Sequence, residues 1–173
     1  MGYATLIVSD QHNNYTNKDA VDNLIRYVFK EHVRLYGGLG IDLFTSDKAI
    51  KQMKKVKKLY RKTDRRQMYH FILSFDDRVK NPIEVYEIGM GIIDTFFYGY
   101  QVIFTVHEDT DHLHLHFILN SVNMLTGYKW HMNGAEFREF KNGIETYADD
   151  YLEKRGYDIK YADYKTVKMS ELL

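Results

Sequence analysis

The chain has 173 residues, 45% hydrophobic and 28% charged, a balance that fits one globular domain and excludes a largely disordered chain. It has no cysteine, which excludes disulfides and thiolate metal sites and makes a cytoplasmic location the expectation. Its formal net charge is zero, no apolar run approaches the roughly 18 residues of a membrane span, and the N-terminus lacks a basic-then-apolar leader, so no membrane association is expected.

Tyr3 to Val8 reads as a first strand, rich in β-branched and aromatic residues. His12 to Asn17 is polar and turn-like, with Thr16 or Asn17 placed to cap a helix over about Lys18 to Arg34. Tyr36-Gly-Gly-Leu-Gly40 ends that helix and opens a loop, and a second helix follows from roughly Asp47 to Tyr60, then a turn at Lys62 to Arg66. In the strand Gln67 to Phe75, alternation puts Tyr69, Phe71, Leu73 and Phe75 on one face and His70, Ile72 and Ser74 on the other. Asn81-Pro82-Ile83-Glu84 announces a helix running to about Gly99, with Asn81 as cap and Glu84 completing a capping box. Two strands, Tyr100 to His107 and Leu113 to Asn120, form a hairpin, and a last helix runs from about Gly134 to Lys154, ended by Gly156. The expected order is β-α-α-β-α-β-β-α, an α+β architecture with helices packed on one face of an antiparallel sheet. With no repeat or linker, residues 1–173 are expected to form a single domain.

Ten basic residues lie between Lys48 and Arg66, with only Asp64 against them. Such a run is a plausible footprint for a phosphate backbone, though it equally suits a solvated helix face. The candidate DNA contacts are Lys54, Lys55, Lys57, Lys58, Arg61, Arg65 and Arg66. The loop Lys129-Trp130-His131 offers a stacking tryptophan, or else a core one.

Chemistry is concentrated in His107-Glu-Asp-Thr-Asp-His-Leu-His-Leu-His116, which holds four of the chain's eight histidines. The period of two places His112, His114 and His116 on one face of a strand, and the hairpin returns His107 beside them. Imidazoles converging in this way make a divalent-metal site, whereas a sheet face of like histidines would repel itself whenever they protonate. Asp109 and Asp111 are placed to accept the remaining imidazole N–H groups and fix the tautomers.

The stretch from His107 through Asn120 to Asn123 closely resembles the three-histidine motif of plasmid mobilisation relaxases, the MobP type of the HUH endonuclease superfamily. The likeness continues through Met124-Leu-Thr-Gly-Tyr-Lys129, and Tyr69-His70-Phe-Ile-Leu-Ser74-Phe75 is similar to another strand of that family. The resemblance implies a central antiparallel sheet of about five strands carrying a metal site. It implies His107, His114 and His116 as ligands, His112 and Asn120 as accessory residues, Asp109 in a catalytic supporting role and Ser74 as a DNA contact. The nucleophile implied is a tyrosine in a helix reading like Leu24-Ile-Arg-Tyr27-Val28, so Tyr27 is the candidate, with Tyr15 and Tyr36 as rivals. The lysine-threonine pair that often follows this tyrosine is missing here.

The activity implied is site- and strand-specific nicking of DNA at an origin of transfer, through a 5′-phosphotyrosine. The cofactor implied is a divalent metal, magnesium or manganese in function, with manganese, nickel, cobalt or zinc suited to three nitrogens in a crystal. Partners would be single-stranded DNA and accessory relaxosome proteins, with a monomer as the default. Relatives usually continue well beyond this length, so the chain is expected to be the N-terminal nuclease part of a longer protein. Competing readings are a replication initiator or transposase of the same superfamily using Tyr147 or Tyr151, a non-catalytic DNA-binding module, and a metallohydrolase that uses water.

Overall fold

Among the described residues, four segments rich in β-branched and aromatic residues and a fifth that is half glycine pair into one antiparallel sheet, and four helices cover it. A computed structural model describes residues 2–8, 15–29, 33–43 and 45–157. The elements run β1 (Ala4–Val8), α1 (Ala20–Val28), β2 (Tyr36–Leu39), α2 (Ser46–Leu59), β3 (Met68–Phe75), α3 (Pro82–Phe96), β4 (Tyr100–His107), β5 (His114–Asn123) and α4 (Gly134–Lys154). The strand order is β1-β3-β5-β4-β2. β5 therefore lies at the centre, where its near-continuous apolar run is buried on both faces.

The helices lie on both faces, not on one as expected. Phe71, Leu73, Phe75, Phe104, Leu115, Phe117 and Leu119 pack with Val85, Ile88, Ile92, Phe140, Ile144 and Ala148 of α3 and α4. On the other face, Met68, Ile103 and Ile118 pack with Val21, Leu24, Ile25 and Val28 of α1 and with Ala49, Ile50 and Met53 of α2. The alternation read in β3 is the division between these two layers.

Three further expectations need correction. Tyr36–Leu39 is a strand rather than a loop, paired with β4 from Tyr36 opposite Thr105 to Leu39 opposite Val102. Its glycines serve close approach: a Cβ on Gly37 would lie 2.5 Å from the Phe104 ring. α1 is shorter than expected, and its cap position is Asp19, whose own side chain makes no cap bond. The Asn17 carboxamide oxygen instead accepts from Asp19 N–H, two residues on, at 3.1 Å. Residues 9–14, including His12, lie outside the described residues. Glu84 does not close a capping box, since Asn81 caps α3 and the Glu84 carboxylate accepts from the Tyr157 hydroxyl at 2.9 Å. The full capping box belongs to α4, between Asn133 and Glu136. Trp130 is a core residue, its ring 4.6 Å from Tyr69 and 5.7 Å from Phe140. Among the described residues no helix is long and apolar enough to cross a membrane.

Candidate metal centre and tyrosine cleft

The end of β4 and the start of β5 are in register, with His107 opposite His114 and Thr105 opposite His116. Because side chains alternate, His107, His114 and His116 all point to the α1 face. One ligand nitrogen from each lies within 4.8 Å of the others. The His107 and His116 rings are 4.2 Å apart, and those of His114 and His116 4.9 Å.

The outer nitrogens of these rings are already held. His107 Nε2 lies 3.0 Å from the Val28 carbonyl, one of the last-turn carbonyls that an α-helix leaves without an internal partner. His114 Nδ1 lies 3.1 Å from the His112 carbonyl. A carbonyl only accepts, so each contact places the N–H on that nitrogen and leaves the other as a lone pair. His116 Nδ1 is 2.7 Å from Nε2 of His70. Lone pairs on His107 Nδ1 and His114 Nε2, joined by His116 Nε2 when its proton sits on Nδ1, make a donor set that could hold a divalent cation, with outer contacts that orient each ring.

Asp109 sits differently from the expectation that it accepts the outer N–H groups. Its Oδ1 is 3.8 Å from His107 Nδ1 and 3.7 Å from His114 Nε2, the inward nitrogens, while carbonyls hold the outer ones. Its negative charge therefore faces the place where a cation would bind. His112 is outside the cluster, because β5 begins only at His114. Its exposed ring pairs with Asp77 at 3.2 Å, and it serves the site through its carbonyl alone. Asn120 is also not at the site. It is fully buried four residues further along β5, where Nδ2 donates to Gln101 Oε1 at 2.9 Å and to the Met53 carbonyl at 3.2 Å. Ser74 stands opposite His114 on the histidine face.

Beside the triad, α1 and the sheet enclose a cleft of about 420 Å³ lined by Tyr15, Asn17, Asn23, Tyr27, His70 and His116, among others. The Tyr27 ring is 6.2 Å from that of His116, edge to face, and is 47% exposed. Its neighbour Val28 carries the carbonyl that holds His107, so one helix end orients both groups. Tyr15 is buried, with its hydroxyl 3.2 Å from His70 Nδ1. Tyr36 packs on Phe29 at 5.2 Å. Tyr147 and Tyr151 lie across the sheet on α4, in the apolar layer opposite the histidines. Tyr147 packs against Phe96, and Tyr151 donates to Glu87. A five-strand sheet separates them from the triad, which removes the geometric basis for an initiator or transposase using that helix.

The basic run divides. Lys57 is buried, donating to the Gln67 carbonyl, Asn120 Oδ1 and Ser121 Oγ, so it is not a DNA contact. Lys54 is paired with Asp22 on α1. The Arg66 guanidinium lies over the Tyr69 ring at 4.7 Å. Lys55, Lys58, Arg61 and Arg65 are exposed. Arg65 is in the turn before β3 beside Ser121, whose Oγ donates to the Arg66 carbonyl; Ser121 is five residues from His116 and seven from His114 along β5. At strand rise that part of the turn is about 17–23 Å from the triad.

A family model for the MobA/VirD2-like relaxase nuclease domain matches residues 15–156. The chain belongs to this family. It is 33% identical over 143 residues to protein rlx of Staphylococcus aureus, covering 83% of this chain and 42% of that protein. It is 32% identical over 103 residues to the group II intron-interrupted relaxase LtrB of Lactococcus lactis, covering 53% of this chain and 18% of that protein. The chain thus spans less than half the length of these relaxase relatives. A solved structure described as "Molecular Basis of Vancomycin Resistance Transfer in Staphylococcus aureus" shares the fold, with a TM-score of 0.59, 13% identity, and coverage of 92% of this chain and 96% of that one.

Two parts of the candidate site escaped the sequence reading: the Val28 carbonyl and His70. Alternation had put His70 on the right face. Only the β3–β5 register, with Ile72 opposite His116, brings its ring to the ligand.

Proposed function

We propose that the chain nicks one strand of DNA at an origin of transfer, with Tyr27 as nucleophile and His107, His114 and His116 holding a divalent cation, magnesium or manganese in function. The observation that carries this reading is the arrangement at the end of α1. Tyr27 and His116 line one cleft, and the residue after Tyr27 anchors a second ligand of the triad.

The bound cation would supply positive charge to the non-bridging oxygens of the scissile phosphate. Val28, His112 and His70 contact the outer nitrogens of the three imidazoles, which orients the rings toward the position the cation would take. Tyr27 Oη forms a bond to phosphorus as the bond to the 3′ oxygen breaks, and overall the phenol proton ends on that departing oxygen. The products are a 5′-phosphotyrosine and a free 3′-hydroxyl, and the covalent bond keeps the energy needed for rejoining. Asp109 faces the inward nitrogens, where a carboxylate can complete the cation's ligands or accept a proton from a bound water. Ser74, opposite His114 on β3, would contact the DNA backbone. Single-stranded DNA fits the open cleft, its backbone continuing toward Lys55, Lys58, Arg61 and Arg65. Accessory proteins of a relaxosome are the partners this reading implies.

The test uses wild type, Tyr27→Phe and Tyr147→Phe with manganese and end-labelled single-stranded oligonucleotides tiled across the DNA flanking the gene. Wild type and Tyr147→Phe are expected to give an SDS-resistant protein–DNA adduct, and Tyr27→Phe none. An adduct that survives Tyr27→Phe would move the nucleophile elsewhere. Cleavage without any adduct would point to a hydrolase that uses water. Binding without cleavage would leave a non-catalytic module.

A further inference from the structure

His116 differs from the other two members of the triad in what holds its outer nitrogen. His107 and His114 meet main-chain carbonyls, which can only accept. His116 Nδ1 meets a side chain, His70 Nε2, at 2.7 Å, with the two rings 5.0 Å apart and within 25° of parallel. His70 is 2% exposed, and its second nitrogen, Nδ1, lies 3.2 Å from the Tyr15 hydroxyl. Tyr15 in turn is fixed. Its backbone occupies the left-handed region at φ 50°, its carbonyl accepts from Gln67 N–H at 2.8 Å, and its ring meets that of His70 edge-on.

A contact between two neutral imidazole nitrogens holds one proton, so this row has two directions. In one, Tyr15 O–H donates to His70 Nδ1 and His70 Nε2–H donates to His116 Nδ1. His116 then carries its own proton on Nε2, the nitrogen facing the cleft, and cannot ligate there. In the other, His116 Nδ1–H donates to His70 Nε2 and His70 Nδ1–H donates to the Tyr15 oxygen. His116 Nε2 is then a lone pair aimed at the cation position. The two directions differ only in where protons sit, because the heavy atoms serve both.

We propose that His70, backed by Tyr15, is the positioning residue that sets His116 in its metal-binding tautomer. This rests on the triad being a metal centre. His70 supplies the acceptor that the other two ligands obtain from backbone carbonyls, and Tyr15 supplies the acceptor that keeps the His70 proton on Nδ1. The row has a consequence for the cleft, since in the metal-binding direction the Tyr15 O–H is turned away from His70.

Manganese affinity, measured by calorimetry on the DNA-free protein, tests the assignment with His70→Phe, His70→Gln, Tyr15→Phe and His114→Ala. His70→Phe fills the space but cannot accept, and is expected to weaken manganese binding roughly 10- to 100-fold, the usual effect of losing an outer partner of a ligating histidine. His70→Gln retains an acceptor and a donor and is expected to recover most of that loss. Tyr15→Phe is expected to weaken binding in the same direction by less.

Equal affinity in wild type and His70→Phe, with His114→Ala binding lost, would overturn the role of His70 alone. Wild-type affinity in His114→Ala would overturn the metal centre itself. Equal losses in His70→Phe and His70→Gln would reduce His70 to packing. A measurement on wild type makes the result independent of variant folding: nitrogen-15 NMR of ring-labelled histidines with zinc bound. His70 is expected to carry its proton on Nδ1, and a proton on Nε2 would refute the assignment.

Discussion

Lys57 offers a direct test of how the basic segment is built. Its ammonium is buried under the turn between α2 and β3, where it donates to the Gln67 carbonyl, Asn120 Oδ1 and Ser121 Oγ. Burial, and then the positive charge of Lys129, lower its pKa to about 7. Three acceptors oppose that shift by favouring the charged form, and desolvation exceeds them. In the unfolded chain a lysine ionises near ~10.4, so between pH 7 and that value the unfolded state binds more protons than the folded one. Stability must therefore rise as pH increases across this window, and below pH 7 the slope from this group disappears. Integrating from pH 7 to pH 9 gives a gain of about 2 kcal/mol. Urea unfolding of the DNA-free protein at pH 7, 8 and 9 measures it, with Lys57→Met as reference. The variant should lose the slope and be less stable at pH 9, because Asn120 and Gln67 lose a donor, at about 1–3 kcal/mol. Identical slopes in both proteins would refute the reasoning, and would mean that the three acceptors hold the ammonium charged through pH 9.

Two further perturbations probe the scaffold and the DNA path. Gly89→Ala would place a Cβ 2.7 Å from the Phe104 ring, which is already confined on its other side by Gly37. The helix-propensity gain of about 1 kcal/mol is expected to lose to overpacking of about 1–3 kcal/mol, so urea unfolding should show net destabilisation, and a stabilised variant would contradict the packing. Arg61→Gln with Arg65→Gln should lower single-stranded DNA affinity and flatten its logarithmic salt dependence by about 1.4 if both cations sit on phosphates. Fluorescence anisotropy across a salt series reads this slope, and an unchanged slope would remove the turn from the DNA path.

Much of the architecture was legible because the relevant signals are local. Asn81-Pro82 marks the start of α3, Gly156 the end of α4, and the alternation in β3 separates the two cores before any strand is paired. β2 was not legible. Glycine pairs usually mean a loop, and the reason for these glycines, the Phe104 ring against Gly37, is a contact 67 positions distant. The clustering of His107, His114 and His116 was legible from the motif that carries the family resemblance. The resemblance also set His112 apart from the ligands; periodicity alone did not, because it extended the strand to a residue that lies before β5. Asn120 shows the same limit: its place at the end of the motif strand says nothing of Lys57 and Gln101, which claim its carboxamide. Charge was the least reliable guide. Of the basic residues in one run, Lys57 is buried, Lys54 is paired, Arg66 covers an aromatic ring, and only the remainder face solvent.

The separation between triad and basic turn constrains how the domain can hold a substrate. The triad and the turn around Arg65 lie about 17–23 Å apart along β5. Cations at that distance add nothing to charge stabilisation at a scissile phosphate, since the screening length is about 8 Å at physiological ionic strength. Their contribution is to affinity and register. The chemistry has to come from groups anchored locally: one carbonyl at the end of α1, one in the β4–β5 turn and one imidazole on β3. Each comes from a different element, and each fixes one histidine. The geometry of the triad is therefore a property of how α1, β3 and the hairpin meet, and a shift of α1 would displace Tyr27 and His107 together.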